Sequence, residues 1–219
     1  MKDLAAKYNN LIKHFCPKCG YYACQCEQIK RNKELAIQEE EREKARQIKN
    51  LGGLRAYEDF KKETFHNKKL LSCLSAFPKE NFYLWGAAGT GKTHAATAVI
   101  RSFLPKARVV RASEISRELR ACRDGVTERK IIEKFSKDIF VFDDLGSEKY
   151  TDFLNYALFE ILDLRWQYKR GGLIITSNMS ISALGAVIGD RSASRIAGLV
   201  GSRNTIEVSG QDYRLSEGE

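Results

Sequence analysis

The sequence has no run of eighteen apolar residues, so no segment is expected to cross a membrane as a helix. Its first residues, Met1-Lys2-Asp3-Leu4, lack the apolar core of a secretory signal, and a cytoplasmic protein is expected. No internal repeat is visible, which speaks against solenoid and propeller architectures. Acidic residues are in deficit: 28 Asp and Glu face 37 Lys and Arg, a formal net charge of +9. A basic excess of this size suits a nucleic acid or an acidic protein surface as partner. It equally suits a solvated basic surface with no polyanion partner.

What is present divides into three textures. The 219 residues are enough for one α/β domain with a real core plus a small appendage. Residues 1–26 are polar and cysteine-rich, and read as a zinc-binding segment. Residues 27–53 are mostly Glu, Lys, Arg, Gln and Asn with alternating charge, which predicts a solvated helical linker ended by Gly52-Gly53. Leu35, Ala36 and Ile48 are too few for a coiled-coil seam. Residues 54–219 alternate strand and helix patterns. The strand candidates are Phe82–Trp85, Val109–Ala112, Ile139–Phe142, Leu173–Thr176 and Thr205–Val208. Helical patterns cover Thr93–Phe103, Ser113–Arg123, Thr127–Lys137 and Asp152–Lys169. This alternation predicts an α/β fold with a five-stranded, mainly parallel sheet.

One motif carries most of the chemistry. Gly86 to Thr93 reads G-A-A-G-T-G-K-T directly after an apolar strand and before a helix. The glycines Gly86, Gly89 and Gly91 let the loop, with Thr90, wrap a phosphate with inward N–H groups. Lys92 would reach the β- and γ-phosphates of ATP, and the Thr93 hydroxyl would coordinate Mg²⁺. A buried strand should then end in acid, and Ile139-Phe-Val-Phe-Asp143-Asp144 supplies it. Asp143 is expected to hold Mg²⁺, directly or through water, and Asp144 to orient or polarise the attacking water. Asn178, after Leu173-Ile-Ile-Thr-Ser177, would lie on the same sheet edge, within reach of the γ-phosphate or the water; Ser-Asn at a strand end is also a good turn or helix cap. Arg191 and Arg195, four apart, share a helix face. They suit either an arginine delivered to the γ-phosphate or a surface pair.

Six cysteines are present, four of them between Cys16 and Cys26. In a cytosolic chain such a cluster binds metal more often than it forms disulfides. Cys16-x-x-Cys19-Gly with Cys24-x-Cys26 offers four thiolates for a closed, structural Zn²⁺ site, with His14 as a spare ligand. Cys73 and Cys122 read as small core or half-buried residues.

Together these motifs carry a resemblance. Ala56-Tyr-Glu-Asp-Phe60, Phe82 through His94, Val141-Phe-Asp-Asp-Leu-Gly146, Ile175-Thr-Ser-Asn178 and Asp212-Tyr-Arg214 resemble the DnaC/DnaI-type AAA+ helicase loaders, from about residue 54 to 215. The IstB-type transposition ATPases share much of the pattern. The resemblance implies a slow, partner-stimulated, Mg²⁺-dependent ATPase of the AAA+ (ASCE) class that binds single-stranded DNA and loads a hexameric replicative helicase. It makes Asn178 similar to a sensor residue. It makes Arg195 similar to an arginine finger acting on a neighbouring subunit, with Arg191 as second candidate, so that the chain self-associates through its ATP site. It brings Arg214 near the nucleotide, and gives residues 1–50 a helicase-contacting role. The alternative is an IstB-type transposition ATPase assembling on duplex DNA.

Overall fold

The structure is a computed structural model that describes residues 26–50, 65–104, 107–122 and 124–212. The chain divides into two units, residues 1–45 and 46–219. Helix α1, Cys26–Asn50, is 25 residues long. Each of its residues with a described side chain is exposed. Even Leu35 and Ile37 are 51% and 57% accessible, because the sequence gives α1 no apolar stripe to bury. The predicted charged helix is thus present. The cysteines before it lie outside the described residues, as does Gly52-Gly53.

The second unit alternates as expected. In chain order it holds α2 (Lys68–Cys73), β1 (Phe82–Trp85), α3 (Lys92–Ile100), β2 (Ala107–Arg111), α4 (Ala112–Arg120), α5 (Gly125–Lys137), β3 (Ile139–Asp143), α6 (Asp152–Gln167), β4 (Leu173–Ser177), α7 (Ile181–Ile188), α8 (Asp190–Val200) and β5 (Thr205–Glu207). Single 3₁₀ turns follow α2 and α3. The five strands form one sheet in the order β2-β3-β4-β1-β5. Every pairing is parallel, as crossover helices require.

The strands are apolar on both faces because both are covered. On one side Phe82, Leu84, Val109, Val141 and Ile174 meet Leu70 and Leu74 and the Ala95, Ala96, Val99 and Ile100 side of α3. On the other, Tyr83, Phe140, Phe142, Leu173 and Ile175 meet the apolar sides of α4 to α8. Polar residues set the helix starts. Asp124, Thr151 and Ser180 each accept a first-turn N–H at α5, α6 and α7.

Beyond shifts at element ends, three features differ from the sequence reading, the first being helix α2, which was not marked in the sequence patterns. Helix α7 was not anticipated, because Ile181-Ser-Ala-Leu-Gly-Ala-Val-Ile has too little polar contrast to show a helical period. Cys73 is exposed, not core: the inward side of its short helix is taken by Leu70 and, one turn on, Leu74. Cys122 is half-buried, as expected.

The edge of the sheet where strands begin is closed by two polar side chains. Asn81 accepts the Leu173 N–H at 3.0 Å and donates to the carbonyls of Arg170 and Leu199 at 2.9 and 3.3 Å. Arg165, fully buried, donates to the carbonyls of Phe135, Asp138 and Gly171 at 3.0, 2.8 and 2.7 Å, with Ser136 at 3.3 Å. Its guanidinium lies 5.1 Å from the centre of the Phe140 ring. Burial lowers the Arg165 pKa to about 10, so the side chain stays charged at neutral pH.

Candidate nucleotide site

The opposite edge, where strands end, gathers the phosphate loop, Asp143, Asp144 and Asn178. The loop between β1 and α3 turns on Gly86, Gly89 and Gly91, with φ of 143°, 77° and 88°. Those values are natural only to glycine. Helix α3 begins with no side-chain cap, so its first N–H groups are presented to the loop's concave side. The Thr90 hydroxyl donates to the Ala87 carbonyl at 2.9 Å and braces the turn. Lys92 is buried, and its Nζ donates to the carbonyls of Gly86 at 2.8 Å and Ala87 at 2.6 Å. The ammonium is therefore already stationed at the loop it is expected to serve.

Asp143 ends β3 at 3% exposure. Its Oδ1 accepts the hydroxyl of Thr93 at 2.7 Å and that of Thr176 at 2.8 Å. Arg111, its parallel partner at the end of β2, brings Nε to 3.9 Å from Oδ2. A threonine hydroxyl and a carboxylate in contact beside a phosphate cradle form a hard-oxygen set that fits Mg²⁺. The donor set, the glycine loop and the uncapped helix start thus fit ATP with its magnesium ion. The bound ion would polarise the terminal phosphate.

Asp144 sits at φ 56°, a left-handed conformation that aspartate tolerates better than most side chains. Its N–H donates to Thr176 Oγ1 at 2.9 Å. Its Oδ1 accepts from Asn178 Nδ2 at 3.3 Å, so the two residues expected to handle water touch each other. The turns carrying them are tied together. Leu145 N–H donates to the Thr176 carbonyl at 2.8 Å, and Ser177 Oγ donates to the Leu145 carbonyl at 2.6 Å. Tyr83 reaches under the site to donate to the Met179 carbonyl at 2.7 Å. Burial pushes the Tyr83 pKa up to about 12, against a smaller opposing effect of a Ser177 hydrogen bond, so its proton stays in place.

Sequence reasoning missed Thr176. Its single hydroxyl joins the Asp143 carboxylate to the Asp144 backbone. The available signal was a hydroxyl residue at the end of an otherwise apolar strand. Arg191 and Arg195 do share a face, and that face meets α6. Arg195 Nε pairs with Asp163 at 2.5 Å and its guanidinium lies 4.6 Å from the Trp166 ring centre. Arg191 stacks 4.3 Å from the centre of Phe159. These contacts are with α6, not with the phosphate loop of the same chain. Arg214, His14, Cys16, Cys19 and Cys24 lie outside the described residues, and of Cys26 only its place at the start of α1 is described. Among the described residues no group of three or more His, Cys, Asp or Glu gathers to hold a metal.

A groove of about 440 Å³ runs between α4 and the loop after β3. Arg117, Arg120 and Lys149 line it together with the acidic Glu148, the hydroxyls of Ser113, Ser116 and Thr151, and the apolar Ala121 and Leu154, so cations outnumber the one carboxylate.

Known proteins resemble this chain in sequence and in fold. The chain is 27% identical over 158 residues to a protein of insertion sequence IS5376 from Geobacillus stearothermophilus, described as ATP-binding. That match covers 68% of this chain and 61% of the relative. It is 26% identical over 149 residues to the corresponding IS21 protein of Pseudomonas aeruginosa, covering 63% and 54%. The chain thus spans less than two thirds of the length of these curated relatives. Among solved structures, the DnaC helicase loader superposes with a TM-score of 0.58 at 21% identity, over 71% of this chain and 100% of that one. At this identity the likeness shows the fold. The sequence profile of the IstB-like ATP binding protein family matches residues 29–218, which takes in the phosphate loop, Asp143 and Asp144 alike, and this chain belongs to that family.

Proposed function

We propose that the protein is a Mg²⁺-dependent ATPase that assembles on DNA and delivers a partner enzyme to it, the partner being a replicative helicase loaded onto single-stranded DNA. The observation that carries the ATPase part of this reading is the contact of Thr93 with the buried Asp143, a hydroxyl–carboxylate pair that suits magnesium and a triphosphate. In the proposed cycle Lys92 and the loop amides hold the β- and γ-phosphates, and Asp143 and Thr93 hold the metal. Asp144 and Asn178 position water on the γ-phosphate. Arg191 or Arg195 reaches the site of a neighbouring subunit, leaving its stacking place on α6. The groove between α4 and the loop after β3, where Arg117, Arg120 and Lys149 outnumber Glu148, takes the nucleic-acid backbone, in keeping with the net charge of +9. Cys16, Cys19, Cys24 and Cys26 bind Zn²⁺ in a small adaptor, residues 1–26, joined by the charged helix to an ATPase domain over 54–219.

A second reading is favoured by the curated relatives, which are insertion-sequence proteins. In it the ATPase assembles on duplex DNA and serves a transposase.

Light scattering on a chromatographed mixture with the host's replicative helicase, with and without ATP, separates the two. An ATP-sensitive stoichiometric complex supports loading. No complex, together with ATP-driven assembly on duplex DNA, supports the transposition reading. Lys92→Ala should lose nucleotide affinity by on the order of a hundredfold. Unchanged affinity in that variant removes the nucleotide site itself.

A further inference from the structure

The glycines of the phosphate loop answer to a second neighbour. After β5 the chain turns back across the loop. Val208 N–H donates to the Trp85 carbonyl at 2.7 Å, directly before Gly86. A methyl group on Gly86 would lie 2.3 Å from the Val208 carbonyl oxygen. A methyl group on Gly89 would lie 1.7 Å from Asp212 Oδ1 and 2.6 Å from Oδ2. Residues 208–212 therefore touch the loop at two of its glycines, and the Asp212 carboxylate occupies the space a side chain at Gly89 would fill.

A carboxylate is an odd group to place there. The loop concentrates backbone N–H groups and the positive start of α3 to receive an anion. A negative charge against the same loop repels phosphate and competes for that field. Removing it should strengthen nucleotide binding, by about tenfold for one charge at contact distance in a partly solvated site.

We infer that residues 208–212 form a strap over the phosphate loop, and that Asp212 limits nucleotide affinity from outside the P-loop motif. The inference rests on the reading of that loop as the nucleotide site. Its consequence is that grip on nucleotide is coupled to the chain after β5: whatever draws the strap away from Gly89 tightens binding. The site is then held weak while the strap lies on the loop, and becomes strong when the strap moves.

The test is equilibrium titration of the full chain with a fluorescent ADP analogue, and competition by ATP and AMP. The variants are Asp212→Asn, which removes the charge and keeps the shape, Asp212→Ala, which removes both, and Asp212→Glu, which keeps the charge. Asn and Ala should bind ADP and ATP about tenfold more tightly than the natural chain, with a smaller gain for AMP, which carries less charge. Glu should stay near the natural affinity. Unchanged or weaker binding in both Asn and Ala overturns the inference while leaving the P-loop reading intact. Failure of the natural chain and all three variants to bind any of the nucleotides, with melting temperatures unchanged, overturns both together.

Discussion

The two edges of the sheet hold polar side chains in opposite ways. Where strands begin, Asn81 and Arg165 spend their hydrogen bonds on backbone groups from distant turns. Where strands end, Asp143, Asp144, Thr93, Thr176 and Asn178 bond chiefly to one another, next to a loop rich in glycine. The first arrangement fixes the backbone and leaves little able to rearrange. The second gathers oxygen atoms beside the glycine loop, with Asp143 and Thr176 buried. Backbone anchoring is concentrated at one edge and the candidate nucleotide site at the other.

The sharpest challenge to that division is Arg165→Met. It should destabilise by on the order of 3–5 kcal/mol, since several buried carbonyls lose their donor. The melting temperature should fall by about 10 °C or more, read by calorimetry, while ADP affinity of the folded fraction stays within about twofold. A tenfold loss of affinity in protein that remains folded would show that the two edges are not separable. Asp143→Asn is the mirror case. Hydrolysis in the presence of Mg²⁺ should drop by on the order of a hundred- to a thousandfold, measured as phosphate release, with a small change in melting temperature. Next in size, Asn178→Ala should lower turnover by on the order of tenfold to a hundredfold and leave ADP affinity nearly unchanged. A proportional loss of binding would place Asn178 on the ground-state phosphate instead of on the water. The smallest effect belongs to Asn81→Ala, about 1–2 kcal/mol of stability by urea titration with turnover unaltered.

What the sequence disclosed follows the same division. The phosphate loop, the five strands and Asp143-Asp144 were legible because each is a contiguous run whose pattern implies its surroundings. The contacts of Thr176 with Asp143 and of Asp212 with Gly89 were not, because they depend on strands β3 with β4, and β1 with β5, lying side by side. Nothing in a linear pattern states that order. Arg165 was hidden for another reason. A charged residue beside Leu164 and Trp166 reads as an outward position, yet it is the largest fully buried side chain described. The arginine pair shows a partial success. Spacing placed Arg191 and Arg195 on one helix face, but the aromatic residues that receive them, Phe159 and Trp166, belong to a helix far away in sequence.

The strand order has a consequence for how the molecule is made. β1 carries the phosphate loop, yet both strands flanking it, β4 and β5, are synthesised roughly ninety or more residues later. While the ribosome is producing the middle of the chain, β1 exposes two unpaired edges and its loop has no wall. The nucleotide pocket is then a late product of synthesis, closed only once Leu173–Ser177 and Thr205–Glu207 have emerged. Non-local pairing of this kind is slow to form. A nascent chain stalled before β4 would carry the complete P-loop motif and still present an open aggregation-prone edge, with no competent grip on ATP.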